Sequence, residues 1–142
     1  MVIGLVEPKE INQEDSDITQ SDTTAATLTD LFVYRVPRGR TLILREGDPF
    51  SMPLKTTGGA ACADTTKVRL EARDSANQGE KRPITGDILY ASIKEFQDVK
   101  LMYTLPKGMV LNEKEYLAVM VNDSVGADKD DSWFSLVARE QR

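Results

Sequence analysis

The apolar positions of this chain come in short runs that alternate with polar residues or stop at turn residues, and no window keeps a helical period. Residues 31–36 (LFVYRV) are rich in β-branched and aromatic side chains and end at Pro37-Arg38-Gly39, and residues 41–44 (TLIL) follow as a second strand. Residues 67–73 (KVRLEAR) alternate, which places Val68, Leu70 and Ala72 inside and leaves the charges on a wet face. Further strands are expected over residues 88–93, 99–103, 116–121 and 133–138, with a short one over 50–54. Turn residues punctuate them at Gly47-Asp48-Pro49, Thr57-Gly58-Gly59, Asn77-Gln78-Gly79, Thr85-Gly86-Asp87 and Gly126-Ala127-Asp128. About eight short strands at this spacing predict an all-β fold, a jelly-roll-like β-sandwich or barrel.

The N-terminal part reads differently. Residues 12–30 are polar, rich in Ser, Thr, Asp and Gln, and such a stretch cannot by itself bury enough apolar surface to offset its ordering entropy. Ahead of it lies an apolar hook of Val2, Ile3, Leu5 and Val6, with Ile11 and Ile18 further along. The pattern predicts an extended acidic N-terminal arm over residues 1–30 and a sandwich domain over 31–142. Val2, Ile3, Leu5, Val6, Ile11 and Ile18 are the candidate partner-binding residues, docking on a neighbouring subunit or back on the chain's own body.

One stretch occurs twice. Tyr34-Arg-Val-Pro-Arg-Gly-Arg-Thr-Leu42 and Tyr103-Thr-Leu-Pro-Lys-Gly-Met-Val-Leu111 share the pattern Tyr-x-aliphatic-Pro-basic-Gly-x-x-Leu. A strand ends at a proline that cannot donate to a ladder, the basic residue and glycine turn the chain, and the leucine begins the return strand. Two similar halves of a Greek-key sandwich, or one turn used twice, would give this pattern.

Composition narrows the function. The chain has no histidine and a single cysteine, Cys62. That removes Ser-His-Asp and Cys-His nucleophile pairs, histidine-ligated metals and any internal disulfide. Cys62 lies among small residues with no basic neighbour and is expected to be inert. Asp123, Asp128, Asp130 and Asp131 share one stretch, but their spacing departs from the EF-hand pattern and Lys129 intrudes, so a solvated hairpin loop is expected there. No catalytic residue, metal ligand or cofactor is expected. Residues 1–30 hold seven acids and one base, so of the net charge of −5 the remainder carries +1. Neither part offers the basic face that nucleic acid requires. No apolar run approaches the roughly 20 residues that cross a bilayer, and the short apolar N-terminus lacks the basic region of a signal peptide.

The polar N-terminal arm, the strand ending in Val36-Pro37-Arg38-Gly39, the following Thr41-Leu42-Ile43-Leu44 and the compact β remainder together resemble head-decoration (cement) proteins of tailed bacteriophages. The resemblance implies a non-enzymatic protein made in the host cytoplasm and held on the virion surface. It also implies a homotrimer that binds the major capsid protein, with the arm reaching to neighbouring subunits. A carbohydrate- or surface-binding β-sandwich module is the alternative, although one Trp and 6% aromatic residues make a poor sugar-stacking platform.

Overall fold

The computed structural model describes residues 5–15, 29–52, 66–74, 81–92, 103–122 and 133–142. Its strand segments are β1 (Val6–Asn12), β2 (Thr29–Arg35), β3 (Thr41–Leu44), β4 (Pro49–Ser51), β5 (Lys67–Arg73), β6 (Lys81–Pro83), β7 (Ile88–Leu89), β8 (Tyr103–Thr104), β9 (Met109–Leu111), β10 (Tyr116–Asn122) and β11 (Ser135–Gln141). Every pairing between them is antiparallel.

Several of these segments are halves of one interrupted strand. β3 and β4 both pair with β11, β9 and β8 pair with β3 and β4, and β6 and β7 both pair with β5. Counted that way there are eight strands in two sheets. Sheet A runs first, eighth, third, sixth along the chain, and sheet B runs second, seventh, fourth, fifth. That interleaved order is a jelly roll, as expected from the strand count.

The break in sheet A is held together across neighbouring strands. The Arg45 N–H donates to the Asp48 carboxylate (2.8 Å), and Gly47 takes φ +89°, a conformation that suits a residue without Cβ. The Gly47 N–H then donates to the Leu105 carbonyl (2.9 Å), and the Leu105 N–H donates to the Asp48 carbonyl (2.9 Å). One irregularity is thus matched by another beside it, and the sheet continues past both.

The two copies of the repeated stretch differ in what they connect. The first carries the chain from β2 in sheet B to β3 in sheet A, whereas the second joins β8 to β9 within sheet A. Their glycines differ too. Gly39 adopts φ +78°, while a Cβ on Gly108 would lie 2.8 Å from the Leu44 carbonyl oxygen. The closing leucines, Leu42 and Leu111, sit directly opposite each other in the β3–β9 ladder, and both are buried. At the corner between sheets the ribbon is tied by Val36 N–H to the Glu115 carbonyl (2.9 Å) and Lys114 N–H to the Val36 carbonyl (2.8 Å). These differences favour one turn used twice.

Between the sheets, Phe32 of sheet B meets Phe134 at 4.9 Å, and Phe134 meets Phe50 of sheet A at 6.3 Å. Leu42, Leu70, Leu111, Leu117, Val119 and Leu136 fill the space around these rings.

Four expectations change. Residues 6–12, expected in a detached arm, form β1 and pair with β11 from Val6↔Gln141 to Asn12↔Ser135. The pairing partner lies at the other end of the chain, so nothing local in VEPKEIN announces it. The wet face expected on β5 is dry at its C-terminal half, because Glu71 and Arg73 are 5% and 3% exposed. Arg73 donates to Asp30 (2.6 and 2.9 Å) and to Glu71 (2.8 Å), and these pairings compensate for removing the charges from water. The last strand covers Ser135–Gln141 in place of 133–138, and of the strand expected over 88–93 the described residues place Ile88–Leu89 in a strand. Cys62, the acidic loop residues Asp123, Asp128, Asp130 and Asp131, and most of the strand expected over 99–103 lie outside the described residues.

Candidate assembly surface

The six candidate contact residues are not brought together. Ile11 is wholly buried opposite Leu136 and packs in the core of its own subunit, so there it meets no partner. Leu5 and Val6 are exposed large apolar side chains at the start of β1. Val2, Ile3 and Ile18 lie outside the described residues.

β1 is an edge strand of sheet A. The Arg142 N–H donates to the Leu5 carbonyl (3.1 Å), so the backbone groups of Leu5, Glu7, Lys9 and Ile11 point at β11. Those of Val6, Pro8, Glu10 and Asn12 point outward. Pro8 has no N–H, and the Asn12 N–H is taken by the Asp15 carboxylate (3.2 Å). The opposite edge of sheet A, β8 and β9, is interrupted at Pro106, and an edge of sheet B ends its segment β6 at Pro83. Prolines and interruptions of this kind blunt an edge against pairing with another chain.

Beneath β1 lies a polar cluster that joins the two sheets. The Tyr34 hydroxyl of β2 donates to the buried Glu140 carboxylate of β11 (2.9 Å), and the Arg40 guanidinium bonds the other carboxylate oxygen. The Lys9 ammonium sits 5.8 Å from the Tyr34 ring centroid and pairs with Asp15 at 3.3 Å. Burial, followed by the hydrogen bond to Glu140 and the charge of that carboxylate, raises the Tyr34 hydroxyl well above its usual pKa of 10.0. Arg73, across the molecule, is held protonated first by its bonds to Asp30, against the opposing effect of burial. Among the described residues no group of three or more His, Cys, Asp or Glu side chains is placed to hold a metal ion. No helix among them is long and apolar enough to cross a membrane.

The outer face of sheet A is the surface the strand-by-strand reading passed over. With Leu136, Ala138, Leu42, Leu44 and Leu111 pointing inward, the alternate residues Val137, Ile43 and Val110 point out. Pro8, Arg139, Ile43 and Val110 form one row across the sheet, and Glu10 stands beside Val137 in the next. The signal was present in the sequence. Leu42-Ile43-Leu44, Met109-Val110-Leu111 and Leu136-Val137-Ala138 are unbroken apolar triplets, which a strand with one wet face would not carry. Trp133, just before β11, is the exposed aromatic among the described large apolar side chains.

No protein-family model and no curated protein matches the chain. Solved structures do. A chain of the VP16-VP17 complex, a complex of the two major capsid proteins of bacteriophage P23-77, superposes with a TM-score of 0.66 at 9% identity, covering 96% of this chain and 99% of that one. VP17, a capsid protein of the same bacteriophage, superposes with a TM-score of 0.68, also at 9% identity, covering 98% of this chain and 96% of that one. What they share is the fold. The resemblance to head-decoration proteins of tailed bacteriophages drawn from the sequence is thus supported at the coarser level of a phage capsid-protein fold, and the two neighbours are named as capsid proteins.

Proposed function

We propose that this protein is a non-enzymatic structural component of a phage capsid, and that its partners are other capsid subunits. The observation that carries the reading is the jelly-roll sheet order combined with near-complete overlap, in both directions, with capsid chains of bacteriophage P23-77. Overlap of that kind favours a subunit that builds the shell, because a shell-building jelly roll needs little beyond the two sheets and their end loops. Decoration of a finished shell is the second reading. Leu5 and Val6 favour it, since they lie exposed at the start of an edge strand and belong to the apolar hook that the sequence shares with Val2 and Ile3. Carbohydrate binding is weakly supported, because the described Phe side chains are core residues and Trp133 stands alone as an exposed aromatic. The sequence resemblance implies three copies about an axis, whereas the face of sheet A favours a two-fold pair, taken up below.

Quantitative mass spectrometry of purified particles, with and without the gene, tests the proposal. A shell subunit is present in high copy number, and its deletion abolishes particles. A decoration protein is also abundant, but particles form without it and bind the added protein. Absence from particles in both cases would overturn the capsid reading.

A further inference from the structure

We infer that the outer face of sheet A is a contact between two copies of this chain, packed face to face about a two-fold axis. The inference stands on the monomer's own surface and does not require a capsid.

The exposed apolar side chains of this face are out of place on a free sheet. Val137 and Val110 are 39% and 50% exposed, and Val6 is 45% exposed at the end of the same face. Ile43 stands beside Val110 in the row that also holds Arg139 and Pro8, next to the row of Val137. A sheet facing only water carries polar residues at these positions. The edges at β1, β8–β9 and β6 are poor alternatives, because Pro8, Pro106, Pro83 and the strand interruptions remove the donors and the length that strand addition needs.

The occupant follows from charge and area. Among the outward residues of β1, β3, β4, β8, β9 and β11, the charged ones are Glu10 and Arg139, of opposite sign, with Arg139 paired to Asp48 of its own chain at 3.1 Å, and the others are aliphatic residues, prolines, hydroxyls or amides. A face whose few charges are of both signs, one of them already paired, does not repel a second copy of itself. With strands about 4.8 Å apart and residues about 3.4 Å apart, the Val137 and Arg139 rows are separated by about 7 Å. A two-fold axis across the strands between those rows sets Arg139 of each copy above Val137 and beside Glu10 of the other. It also brings the Ile43 and Val110 row of one copy over the neighbouring row of its mate. Four strands with the seven-residue length of β11 span roughly 450 Å² of flat face. Two such faces remove about 1,000 Å² or more of accessible surface, where specific interfaces begin.

Sedimentation equilibrium of the full chain at micromolar concentration tests this. The wild type is expected to be a dimer. Val137→Lys and Val110→Lys, at solvent-exposed positions that leave the core alone, are expected to weaken dimerisation at least roughly tenfold with unchanged circular dichroism. Glu10→Arg, which sets a like charge beside the partner's Arg139, weakens it as well. Leu89→Lys changes an equally exposed apolar residue on sheet B, 49% exposed, and leaves the dimer intact. A wild-type monomer at the highest soluble concentration would overturn the inference, as would an oligomer untouched by both lysine variants, or one lost equally in Leu89→Lys. A monomer whose sheet A face is covered only when a different capsid subunit is added would assign the face to that partner and reject the two-fold pair.

Discussion

The two sheets of this jelly roll handle their outer faces in opposite ways. Sheet B is buried on both sides at its centre: Leu70, Ala72, Leu117 and Val119 face the core, while Glu71, Arg73, Ala118 and Val33 are buried as well. Its outer face includes charge, and that charge is neutralised within the subunit by the Asp30–Arg73–Glu71 bonds. Sheet A has a conventional alternation, with Leu136, Ala138 and Glu140 buried and Val137 exposed between them. Its outer face carries Glu10 and Arg139, the latter paired with Asp48, beside aliphatic side chains that stand open. Sheet B closes its centre within the chain and leaves Leu89 exposed at its margin, whereas sheet A leaves aliphatic side chains uncovered along its middle, which is the face the inferred contact would use.

The largest expected effect comes from stripping sheet A of its edge. Deleting residues through Asn12 removes β1, uncovers Leu136 and Ala138 and takes Ile11 out of the core. Ile11→Ala alone is expected to cost about 2–4 kcal/mol, and the deletion more, lowering Tm by more than roughly 10 °C. If thermal melting of the truncated chain matched the full chain, β1 would be an appendage and the contrast between the sheets would lose one of its members.

Sheet B breaks by charge. Arg73→Met leaves the Glu71 carboxylate without its guanidinium at a site withdrawn from water, an expected loss of about 3 kcal/mol in urea unfolding. A loss below about 1 kcal/mol would mean that this face is wetter than its burial indicates.

A smaller effect lies where the sheets meet. Because the native pKa of Tyr34 lies above its unfolded value, the folded state keeps the hydroxyl proton longer. The associated stability is complete below about pH 10 and is lost as pH rises towards the native value. The melting temperature should therefore fall on the alkaline side in the wild type, and less so in Tyr34→Phe, which at neutral pH should lose about 1 kcal/mol with its bond to Glu140. Identical alkaline profiles for the two proteins would remove Tyr34 from this role. The smallest effect belongs to the exposed pair at the end of sheet A. Arg142→Ala breaks a 3.7 Å contact with Glu7 between solvated side chains and should shift unfolding by less than about 0.5 kcal/mol.

Much of this molecule was legible along the chain. The β-branched and aromatic runs at 31–36, 41–44, 67–73 and 116–121 coincide with strands, and the punctuation by Pro37-Arg38-Gly39 and Pro106-Lys107-Gly108 falls at turns. Local side-chain chemistry decides those features, since φ limits at proline, freedom at glycine and the two-residue period of a pleated strand act over a few residues. The lack of histidine likewise disposed of imidazole chemistry without any coordinates.

Other features depended on partners distant in sequence. Val6–Asn12 has only one residue that must be buried, and it becomes a strand because Ser135–Gln141 offers it a ladder. Glu71 and Arg73 read as a wet face because the alternation in KVRLEAR does not reveal that Asp30 will lie within reach of the guanidinium. The outward aliphatic row on sheet A was written in three separate triplets, and only the registers β11–β3 and β3–β9 place Val137, Ile43 and Val110 on one surface. The sequence by itself determined where strands begin and turn. The tertiary structure alone decided which strand faces are closed within the chain and which are left open, because burial is set by pairings distant in sequence, from 43 positions for Asp30 and Arg73 to 135 for Val6 and Gln141.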